Sequence, residues 1–388
     1  MIVCYLAAIC PRKFFNKFEG EVSVAAYKFN NLLAQGLAAN DGINVKCLVP
    51  ISLLKRIEVS ELGQEIEEEN VQYIMFEKDV LEGGYREFIR AALRRIKGWK
   101  KQDNVCIVTD ALGVVADILS IQAHKRYGVQ TVGVITDLPQ HMLNSRGVKE
   151  KLRYKLNLTL MRRFQSYILL TEPMAEWVNR KKKPQCIMEG VCDWHDLQDS
   201  QSPCVKYEKL VCMYAGSIQK EFGIDLLIDA FLKVNIENSE LHIYGKGNYS
   251  DEIERICEQS KKVIYFGQQP HNIILQEERK ATLLINPRPT NEEYTKYSFP
   301  SKTLEYMASG TPVLMTSLPG MPKDYEEYVY LFEEETVDGF ANKLNEVLQL
   351  KSELQEKGKR AREFILSTRN NKEQALRVVR ELGLGQKY

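Results

Sequence analysis

The densest group of residues suited to a charged ligand runs from Asn286 to Pro312, in the string NPRPTNEEYTKYSFPSKTLEYMASGTP. Arg288 and Lys302 supply cations that can neutralise phosphate oxygens. Glu305 adds a carboxylate, which accepts hydrogen bonds. The segment therefore predicts a site where a phosphate would bind.

A short helix over about 300–309 should present these groups. Its apolar residues share one face, and they are Leu304, Met307 and Ala308. Its polar residues share the opposite face, and they are Ser301, Lys302 and Glu305. Ser298 or Ser301 is expected to cap the first turn, and Gly310 to end the helix. The free amides of that first turn favour an anion such as phosphate.

Glycines in three further loops follow predicted strands. They occur in the loop Cys10–Glu21, which contains Gly20, in the string Tyr214–Ser217 that precedes Lys220, and in Gly245–Gly247. Ligands of parallel sheets bind at the carboxyl ends of the strands, and a glycine there lets a ligand approach the backbone closely. The alternative for Gly20 is an ordinary turn glycine without a ligand.

The elements that must position these groups follow an α/β pattern, because short β-branched runs alternate with longer amphipathic stretches. The predicted strands are Met1–Ala8, Asn44–Val49, Val105–Thr109, Thr131–Ile135, Tyr167–Leu170, Leu210–Ala215, Glu240–Tyr244, Val263–Phe266, Thr282–Ile285 and Val313–Met315. Two sets of strands predict two domains with parallel sheets.

The polar stretch 193–209 contains Pro203 and lacks a helical or alternating pattern, so it is predicted to link the domains. We expect an N-terminal domain over 1–195, a C-terminal domain over 205–366 and a last segment over 367–388. That last segment is helical by its pattern and has no strand after it. Its helix, over about 373–383, is therefore expected to return to the N-terminal domain.

Composition excludes several classes of protein. The chain has 388 residues, and a net charge of +1 gives no general attraction to nucleic acid. The N-terminal run lacks the layout of a secretory signal, and no stretch approaches the ~20 apolar residues that span a bilayer. Nine scattered cysteines without metal-ligand spacing favour free thiols. We therefore expect a cytoplasmic protein without a metal site or a resident cofactor.

The string from Glu305 to Val313, EYMASGTPV, resembles the second half of the signature of retaining glycosyltransferases of family 4. The resemblance extends through Tyr214–Gly223 and Ile243–Gly247, and more loosely over the first half. It is strongest to the bacterial surface-polysaccharide type, where the strings Asn-Pro-Arg and Ser-Phe-Pro-Ser-Lys are familiar. It implies the GT-B architecture, in which two Rossmann-like domains face each other and a C-terminal helix crosses back.

The resemblance also implies an activity. A sugar would move from a UDP- or GDP-linked donor to a glycan or lipid-linked acceptor, with retention of the anomeric configuration, in exopolysaccharide, capsule or O-antigen synthesis. The C-terminal domain would bind the donor, and the N-terminal domain the acceptor. Glu305 would take the place of the glutamate that binds the ribose. The remaining residues implied near the donor are Gly20, Gly216, Ser217, Lys220, Gly245, Arg288, Glu292, Glu293, Tyr297, Ser298, Phe299, Ser301 and Lys302.

The sequence departs from the family pattern at three positions. Tyr297 stands where the first signature glutamate is expected, while Ser217 and Phe222 stand where many members have the arginine and lysine that clamp the diphosphate. Arg288, Lys302 and Lys220 are the nearest replacement cations. Glu292 or Glu293 could supply the missing carboxylate, and the alternative for both is a solvated loop charge.

Two aspartates of the first half are the catalytic candidates. In the family, the region of Asp137 and His141 faces the donor sugar and the acceptor, so Asp137 could orient an acceptor hydroxyl or act as a base. Asp110 is a weaker candidate of the same type. The alternative for both aspartates is capping of a following helix.

Neutralisation of the leaving diphosphate and contact with a membrane are also predicted. No two aspartates are separated by one residue, so a helix N-terminus with lysine and arginine is expected to replace a metal ion. Ile89–Lys101 and Lys149–Arg163 are basic helices that could lie on an anionic membrane surface, or simply be solvated faces.

Two other functions fit the same residues. A nucleotide-sugar epimerase of this architecture would convert the donor alone, without an acceptor. A weakly catalytic partner of a larger synthase would bind the nucleotide sugar without turnover, and Tyr297 in place of a glutamate makes this alternative relevant.

Overall fold

The computed structural model describes residues 1–18, 23–138, 147–194, 204–350 and 352–385. The chain divides into two compact units, one over 1–191 with 371–388 and the other over 192–370. Each unit contains a largely parallel sheet with helices packed against it. The predicted α/β class, with two domains built on parallel sheets, is confirmed.

The described part of the first unit has an eight-stranded sheet in the order β3-β4-β2-β1-β5-β6-β7-β8. The strands are β1 Ile2–Leu6, β2 Asn44–Leu48, β3 Glu65–Glu68, β4 Val71–Ile74, β5 Val105–Asp110, β6 Gln130–Ile135, β7 Ser166–Leu169 and β8 Gln185–Ile187. Neighbours run parallel except β3 and β4. The central strands are almost entirely buried, as expected when helices cover both faces of a parallel sheet.

Seven α-helices follow these strands in the described residues before the second unit begins. They are α1 Arg12–Phe15, α2 Val24–Ala38, α3 Ile51–Leu54, α4 Lys78–Gln102, α5 Val114–Tyr127, α6 Val148–Met161 and α7 Glu172–Val178. Helix α4 is kinked at Gly84, where φ is 66°. Short 3₁₀ helices cover Asn16–Phe18 and Val59–Glu61.

The second unit has a six-stranded sheet in the order β11-β10-β9-β12-β13-β14 over its described residues, and all neighbours are parallel. The strands are β9 Leu210–Ala215, β10 Ser239–Tyr244, β11 Val263–Tyr265, β12 Leu283–Asn286, β13 Val313–Thr316 and β14 Tyr330–Phe332. The α-helices of this unit are α8 Ile224–Leu232, α9 Ser250–Gln259, α10 His271–Lys280, α11 Ser301–Ser309, α12 Val337–Leu348 and α13 Ser352–Thr368. Short 3₁₀ helices cover Lys220–Phe222, Glu293–Lys296 and Lys323–Tyr325.

Each sheet has one point where the direction of chain progression reverses. In the first unit it lies between β1 and β5, and in the second between β9 and β12. The connections on the two sides of such a point leave in opposite directions and open a crevice at the carboxyl ends of the strands. The two crevices are therefore the places where the topology favours a ligand.

The last helix, α14 Asn371–Glu381, belongs to the first unit. It packs on α2 and β8, and Gln374 donates a buried hydrogen bond to the carbonyl of Gly190 at 2.9 Å. Gly36 of α2 allows the closest approach, because a Cβ at this position would lie 2.1 Å from the carbonyl oxygen of Asn371. Helix α14 thus covers the helix that follows the first strand.

We predict that Gly36→Ala destabilises the first unit by about 1–3 kcal/mol, since the added methyl group forces α2 and α14 apart. Gly98→Ala is the matched control, because a Cβ at this position of α4 meets no atom within 4 Å. Urea denaturation and proteolysis of the C-terminal helix measure the effect. Equal stability of the two variants would contradict the close packing of α14.

Candidate functional site

The Tyr306 side chain joins α11 to the end of β9 in the second unit. Its hydroxyl accepts a hydrogen bond from the amide of Ala215 at 2.7 Å and donates one to the carbonyl of the same residue at 3.0 Å. Strands β9 and β12 are paired only as far as Met213 and Leu284. Beyond that point the fully buried tyrosine takes the place of a neighbouring strand, so α11 is held beside the crevice.

Two further polar contacts fix the loop between β12 and α11. The Asn286 side chain donates a buried hydrogen bond of 3.0 Å to the Thr303 hydroxyl, and the Thr316 hydroxyl donates to the carbonyl of Arg288. Both ends of the segment from Asn286 to α11 are therefore held by β12, β13 and the helix itself.

The predicted glycines bring the strand-end loops together. The Gly216 amide donates to the Tyr244 carbonyl at 3.0 Å, and a Cβ on Gly245 would lie 1.8 Å from the Gly216 carbonyl oxygen. Gly245 also has a φ of 134°, which favours glycine. Close packing between the two loops accounts for glycine at 245, and a role of Gly216 and Gly245 towards the donor stays a prediction.

The loop after β9 also packs on the loop after β12. Gly223, with a φ of 77°, would place a Cβ only 2.2 Å from the carbonyl oxygen of Pro287. Phe222 precedes it and lies against Arg288, whose guanidinium is 4.6 Å from the Phe222 ring centroid and 5.7 Å from that of Tyr294. Such contacts between a cation and an aromatic face are favourable. Phe222 therefore supports Arg288 at the position where the family pattern has a lysine.

The Arg288 side chain has one buried polar atom without a hydrogen bond. This atom is Nε, which has no partner among the described residues, while the guanidinium lies beside the two aromatic rings. A buried N–H without an acceptor is costly unless a ligand or water satisfies it. Among the predicted cations, Arg288 therefore keeps the most hydrogen-bond donors available for an anion.

Lys302 and Glu305 form an ion pair on the polar face of α11, and a third group joins them. Lys302 Nζ bonds Glu305 Oε1 and lies 3.2 Å from Oε1 of Glu278, a fully buried residue of α10. Burial alone would lower the pKa of Lys302, but Glu278 and Glu305 raise it overall. Glu305 also lies near His271, whose Nε2 is 3.9 Å from Glu305 Oε2. Sequence reasoning identified Lys302 and Glu305 but missed Glu278.

The other residues of this loop that were predicted to bind the donor differ in their exposure to solvent. Glu292 and Glu293 are exposed, and Tyr297 is half-buried. Phe299 is a core residue, 5% exposed, and its ring lies 5.0 Å from that of Tyr325. Phe299 therefore packs in the core just before α11 begins. The exposure of Glu292 and Glu293 fits the alternative in which both are solvated loop charges.

The predicted capping of α11 by a serine is wrong. Pro300 occupies the capping position and provides no side-chain hydrogen bond. Ser298 instead donates to the Tyr294 carbonyl at 3.1 Å, because the 3₁₀ turn before it brings that carbonyl within reach. Ser301 is the first residue of the helix and is exposed. Gly310 ends the helix with a φ of 79°, as predicted.

Lys220 lies on the 3₁₀ turn after β9. Its Nζ is 3.6 Å from Asp225 Oδ2 and 5.7 Å from the centre of the Tyr249 ring, and its side chain is largely exposed. Ser217, in the same loop, accepts a hydrogen bond of 2.8 Å from the Tyr214 hydroxyl through its carbonyl. Lys220 is therefore an exposed lysine with a local acidic neighbour.

In the first unit, a buried polar chain lies at the crevice between β1 and β5. Asp110 Oδ2 accepts from the Asn30 side chain at 3.0 Å, and Asn30 accepts from the Tyr5 hydroxyl at 2.9 Å. Burial raises the pKa of Asp110, the hydrogen bond from Asn30 lowers it, and the nearby Asp137 charge raises it again. Asp110 Oδ1 also accepts from the Leu112 amide at 3.3 Å, while Gly113 occupies the capping position of α5.

Asp137 is exposed at the carboxyl end of β6. Its charge acts on Asp110, the weaker candidate of the same type. Gly20 and His141 lie outside the described residues. The roles of Asp137 and His141 stay predictions.

Asp117 on α5 is a buried acid that sequence reasoning missed. Neither of its carboxyl oxygens has a hydrogen-bond partner among the described residues. Burial, with a smaller contribution from the Asp110 charge, raises the pKa of Asp117 from the ordinary value of 3.8 to about 8. A neutral Asp117 is therefore the favoured form near neutral pH.

The raised pKa of Asp117 makes the stability of the first unit dependent on pH. The folded protein binds a proton that the unfolded chain releases above pH 3.8, so stability falls as pH rises and levels off above about 8. Asp117→Asn removes this titration. We predict that the variant gains roughly 3–4 kcal/mol relative to wild type between about pH 5 and 8.

Urea denaturation of both proteins at several pH values measures this difference. Asp41→Asn is the matched control, because Asp41 is exposed on the same unit. A difference between wild type and Asp117→Asn that is constant across pH would show that Asp117 does not titrate as described.

Two kinds of feature are absent from the described residues. No helix combines the length and apolar character needed to cross a bilayer. No group of three or more histidine, cysteine, aspartate or glutamate side chains in the described ranges has the arrangement of a metal site.

Comparisons with known proteins bear on the second unit and on the fold. Residues 198–364 match the family described as Glycosyl transferases group 1. No curated protein matches the sequence. Sucrose-phosphate synthase from Thermosynechococcus elongatus is 15% identical with a TM-score of 0.64, and the alignment covers 100% of both chains.

Two other solved structures are similar. HepE of Anabaena, in complex with UDP and glucose, is 13% identical with a TM-score of 0.60 over 99% of both chains. TarM of S. aureus, in complex with UDP and α-GlcNAc-glycerol among others, is 16% identical with a TM-score of 0.54 over 76% of this chain and 59% of TarM. These likenesses show a GT-B-like fold.

The matched segment runs from before β9 into α13 and includes Arg288, Lys302 and Glu305. The second unit therefore carries a group 1 glycosyltransferase domain. The predicted enzyme class, a glycosyltransferase, is confirmed.

Proposed function

We propose that this enzyme transfers a sugar from a UDP-linked donor to a glycan or lipid-linked acceptor, with retention of the anomeric configuration, in the synthesis of a surface polysaccharide. The observation that carries the proposal is the polar face of α11, where Lys302 and Glu305 lie beside the crevice between β9 and β12. The complexes of HepE and TarM with UDP favour a uridine nucleotide.

The donor diphosphate would lie between Arg288 and the first turn of α11. Arg288 Nε is buried without a partner among the described residues, and the rings of Phe222 and Tyr294 keep the guanidinium in place. The amides at the start of a helix favour an anion, and Lys302 adds a second cation. Arg288 and Lys302 would thus replace the basic pair whose positions hold Ser217 and Phe222.

Catalysis would come chiefly from stabilisation of the leaving diphosphate. Cations and helix amides that are already oriented act on charge that develops in the transition state. Positioning of the acceptor beside the anomeric carbon supplies a further share of the rate. We propose that this chemistry needs neither a protein nucleophile nor a metal ion.

The ribose would bind Glu305, which lies one turn from the start of α11. In the structure Glu305 Oε1 bonds Lys302, and Oε2 faces His271 at 3.9 Å. A carboxylate held in this way can accept hydrogen bonds from ribose hydroxyls. The alternative role of Glu305 is only to pair with Lys302.

We predict that Glu305→Ala weakens UDP binding by about 2–4 kcal/mol, because charge-assisted hydrogen bonds to the ribose are lost. This corresponds to roughly 30- to 1,000-fold in affinity. Calorimetric titration with UDP and 2′-deoxy-UDP measures it. The loss should be smaller for the 2′-deoxy nucleotide, since one of the two hydroxyl contacts is already missing.

Lys302→Met is the matched control, because it breaks the same ion pair and keeps the carboxylate. It should weaken UDP much more than uridine, whereas Glu305→Ala should weaken both. An identical penalty of Glu305→Ala for UDP and 2′-deoxy-UDP would mean that Glu305 does not contact the 2′-hydroxyl.

The acceptor would bind the first unit. Asp137 is exposed after β6, where it could orient an acceptor hydroxyl or take its proton. The buried hydrogen-bonded chain of Tyr5, Asn30 and Asp110 lies at the crevice between β1 and β5. It would keep the carboxyl ends of these two strands rigid.

Helix α6 is proposed to place the enzyme on an anionic membrane. Leu152 and Leu156 lie one turn apart and are 70% and 48% exposed. They are flanked by exposed cations of the same helix, which are Lys149, Lys151, Arg153 and Lys155. A face with exposed apolar residues between basic ones suits the surface of an anionic bilayer.

A second basic segment follows helix α7. Arg180, Lys181 and Lys182 are exposed after α7. Helix α7 contacts α6 through Trp177, whose ring is 6.4 Å from that of Tyr154. The other basic helix, α4, differs, because its only exposed large apolar residue in the described structure is Tyr85 and Glu87 pairs with two of its arginines.

We predict that the protein binds vesicles of phosphatidylglycerol, that salt weakens this binding, and that phosphatidylcholine vesicles bind it poorly. Leu152→Glu with Leu156→Glu should reduce binding roughly tenfold or more, since two charges replace the apolar contact. Vesicle sedimentation measures it.

Lys97→Gln with Lys100→Gln on α4 is the matched control, because it changes the net charge by the same amount. It should alter vesicle binding much less than the α6 variant. Equal effects of the two double variants, or equal binding to neutral and anionic vesicles, would contradict α6 as the membrane face.

A further inference from the structure

One ammonium group serves two carboxylates in the second unit. Lys302 Nζ is 3.2 Å from Glu278 Oε1 and also bonds Glu305 Oε1. Glu278 comes from α10, and the other two residues from α11. The cluster therefore carries more negative than positive charge when both carboxyl groups are ionised.

Glu278 cannot relieve this charge by turning to solvent. Its side chain is 0% exposed, and Oε2 has no partner among the described residues. Its backbone carbonyl accepts from the Thr311 hydroxyl at 2.7 Å, and Lys206 donates to that hydroxyl at 2.7 Å. A buried carboxylate with one unsatisfied oxygen is costly, so its cation partner is essential while it stays ionised.

The charged and titratable groups around Glu278 are few in the described structure. From α11 they are Lys302, Glu305 and Tyr306. His271 lies on the same helix as Glu278 and is near Glu305. Lys206 donates a hydrogen bond to the Thr311 hydroxyl. Burial raises the pKa of Glu278 well above its ordinary range, Lys302 lowers it, and Glu305 raises it again. Lys302 is the cation that holds the carboxylate form of Glu278.

We propose that Glu278 is a positioning residue that competes with the donor diphosphate for Lys302. As a carboxylate, Glu278 retains Lys302. After taking a proton from the solvent, it becomes a neutral acid that donates a hydrogen bond to Glu305 and lets Lys302 turn to the phosphates. This inference rests on the proposed function, because it needs a nucleoside diphosphate at α11.

Diphosphate binding is therefore linked to protonation of Glu278, and affinity falls as pH rises through the range in which Glu278 ionises. Because only one group ionises, the affinity for the diphosphate falls at most tenfold for each pH unit. Glu278→Gln cannot ionise and keeps the shape of the side chain, so its affinity should not follow that decline.

The test compares the affinity of wild type and Glu278→Gln for UDP over a pH series that begins at about pH 7, where the terminal phosphate, with a pKa of about 6, is already ionised. The two proteins should bind equally within about twofold at pH values where Glu278 is protonated, and the variant roughly 3–10-fold more tightly where Glu278 is ionised. Ionisation of the uracil base affects both proteins and cancels in their ratio.

Two controls separate this effect from a structural one. Glu277→Gln removes the neighbouring carboxylate of α10, which bonds Tyr207 and not Lys302, and should keep the pH dependence of the wild type. Uridine has no diphosphate, so its affinity ratio between wild type and Glu278→Gln should be independent of pH.

Calorimetry of the wild type supplies a measurement that needs no variant. UDP binding at a pH where the affinity of the wild type declines, measured in buffers of different ionisation enthalpy, should show uptake of a fraction of a proton, and uridine binding should show none. A constant ratio between wild type and Glu278→Gln at all pH values, or equal proton uptake with uridine, overturns the role of Glu278. Absence of UDP binding at any pH overturns the proposed function itself and this inference with it.

Discussion

The Tyr306 hydroxyl, bonded to both backbone groups of Ala215, is the contact on which the candidate donor site depends. Strands β9 and β12 lose their pairing just before this residue, and the tyrosine satisfies the backbone that the missing strand leaves open. The same side chain fixes α11 at the crevice. Two buried hydrogen bonds within the protein therefore position the polar face of α11.

Charge is the second constraint on the candidate site. A diphosphate needs cations, and Ser217 and Phe222 supply none. Phe222 instead lies under the guanidinium of Arg288, so loss of a cation in one loop coincides with support for another. Lys302 is shared between two carboxylates, which ties its position to their charge. Aromatic and ionic contacts within the second unit thus hold Arg288 and Lys302 in place.

The sequence predicted ten strands to within about two residues, because buried apolar runs are visible without tertiary information. It missed four strands: β3, whose residues EIEE lie at an exposed antiparallel edge, its four-residue neighbour β4, and β8 and β14, which have three residues each. The motif around Glu305 was recognisable because its residues are consecutive in the sequence. Glu278 was not, since only the packing of α11 over α10 distinguishes it from the adjacent Glu277.

The most direct test of the account is incubation of the protein with a panel of UDP-sugars in the absence of an acceptor, followed by separation of the products. The account predicts slow release of UDP and free sugar from at least one donor, since a transferase without its acceptor passes the sugar to water. An isomerised nucleotide sugar would instead mark an epimerase. Binding without any turnover would mark a partner protein, and either result would contradict a glycosyltransferase built around Lys302 and Glu305.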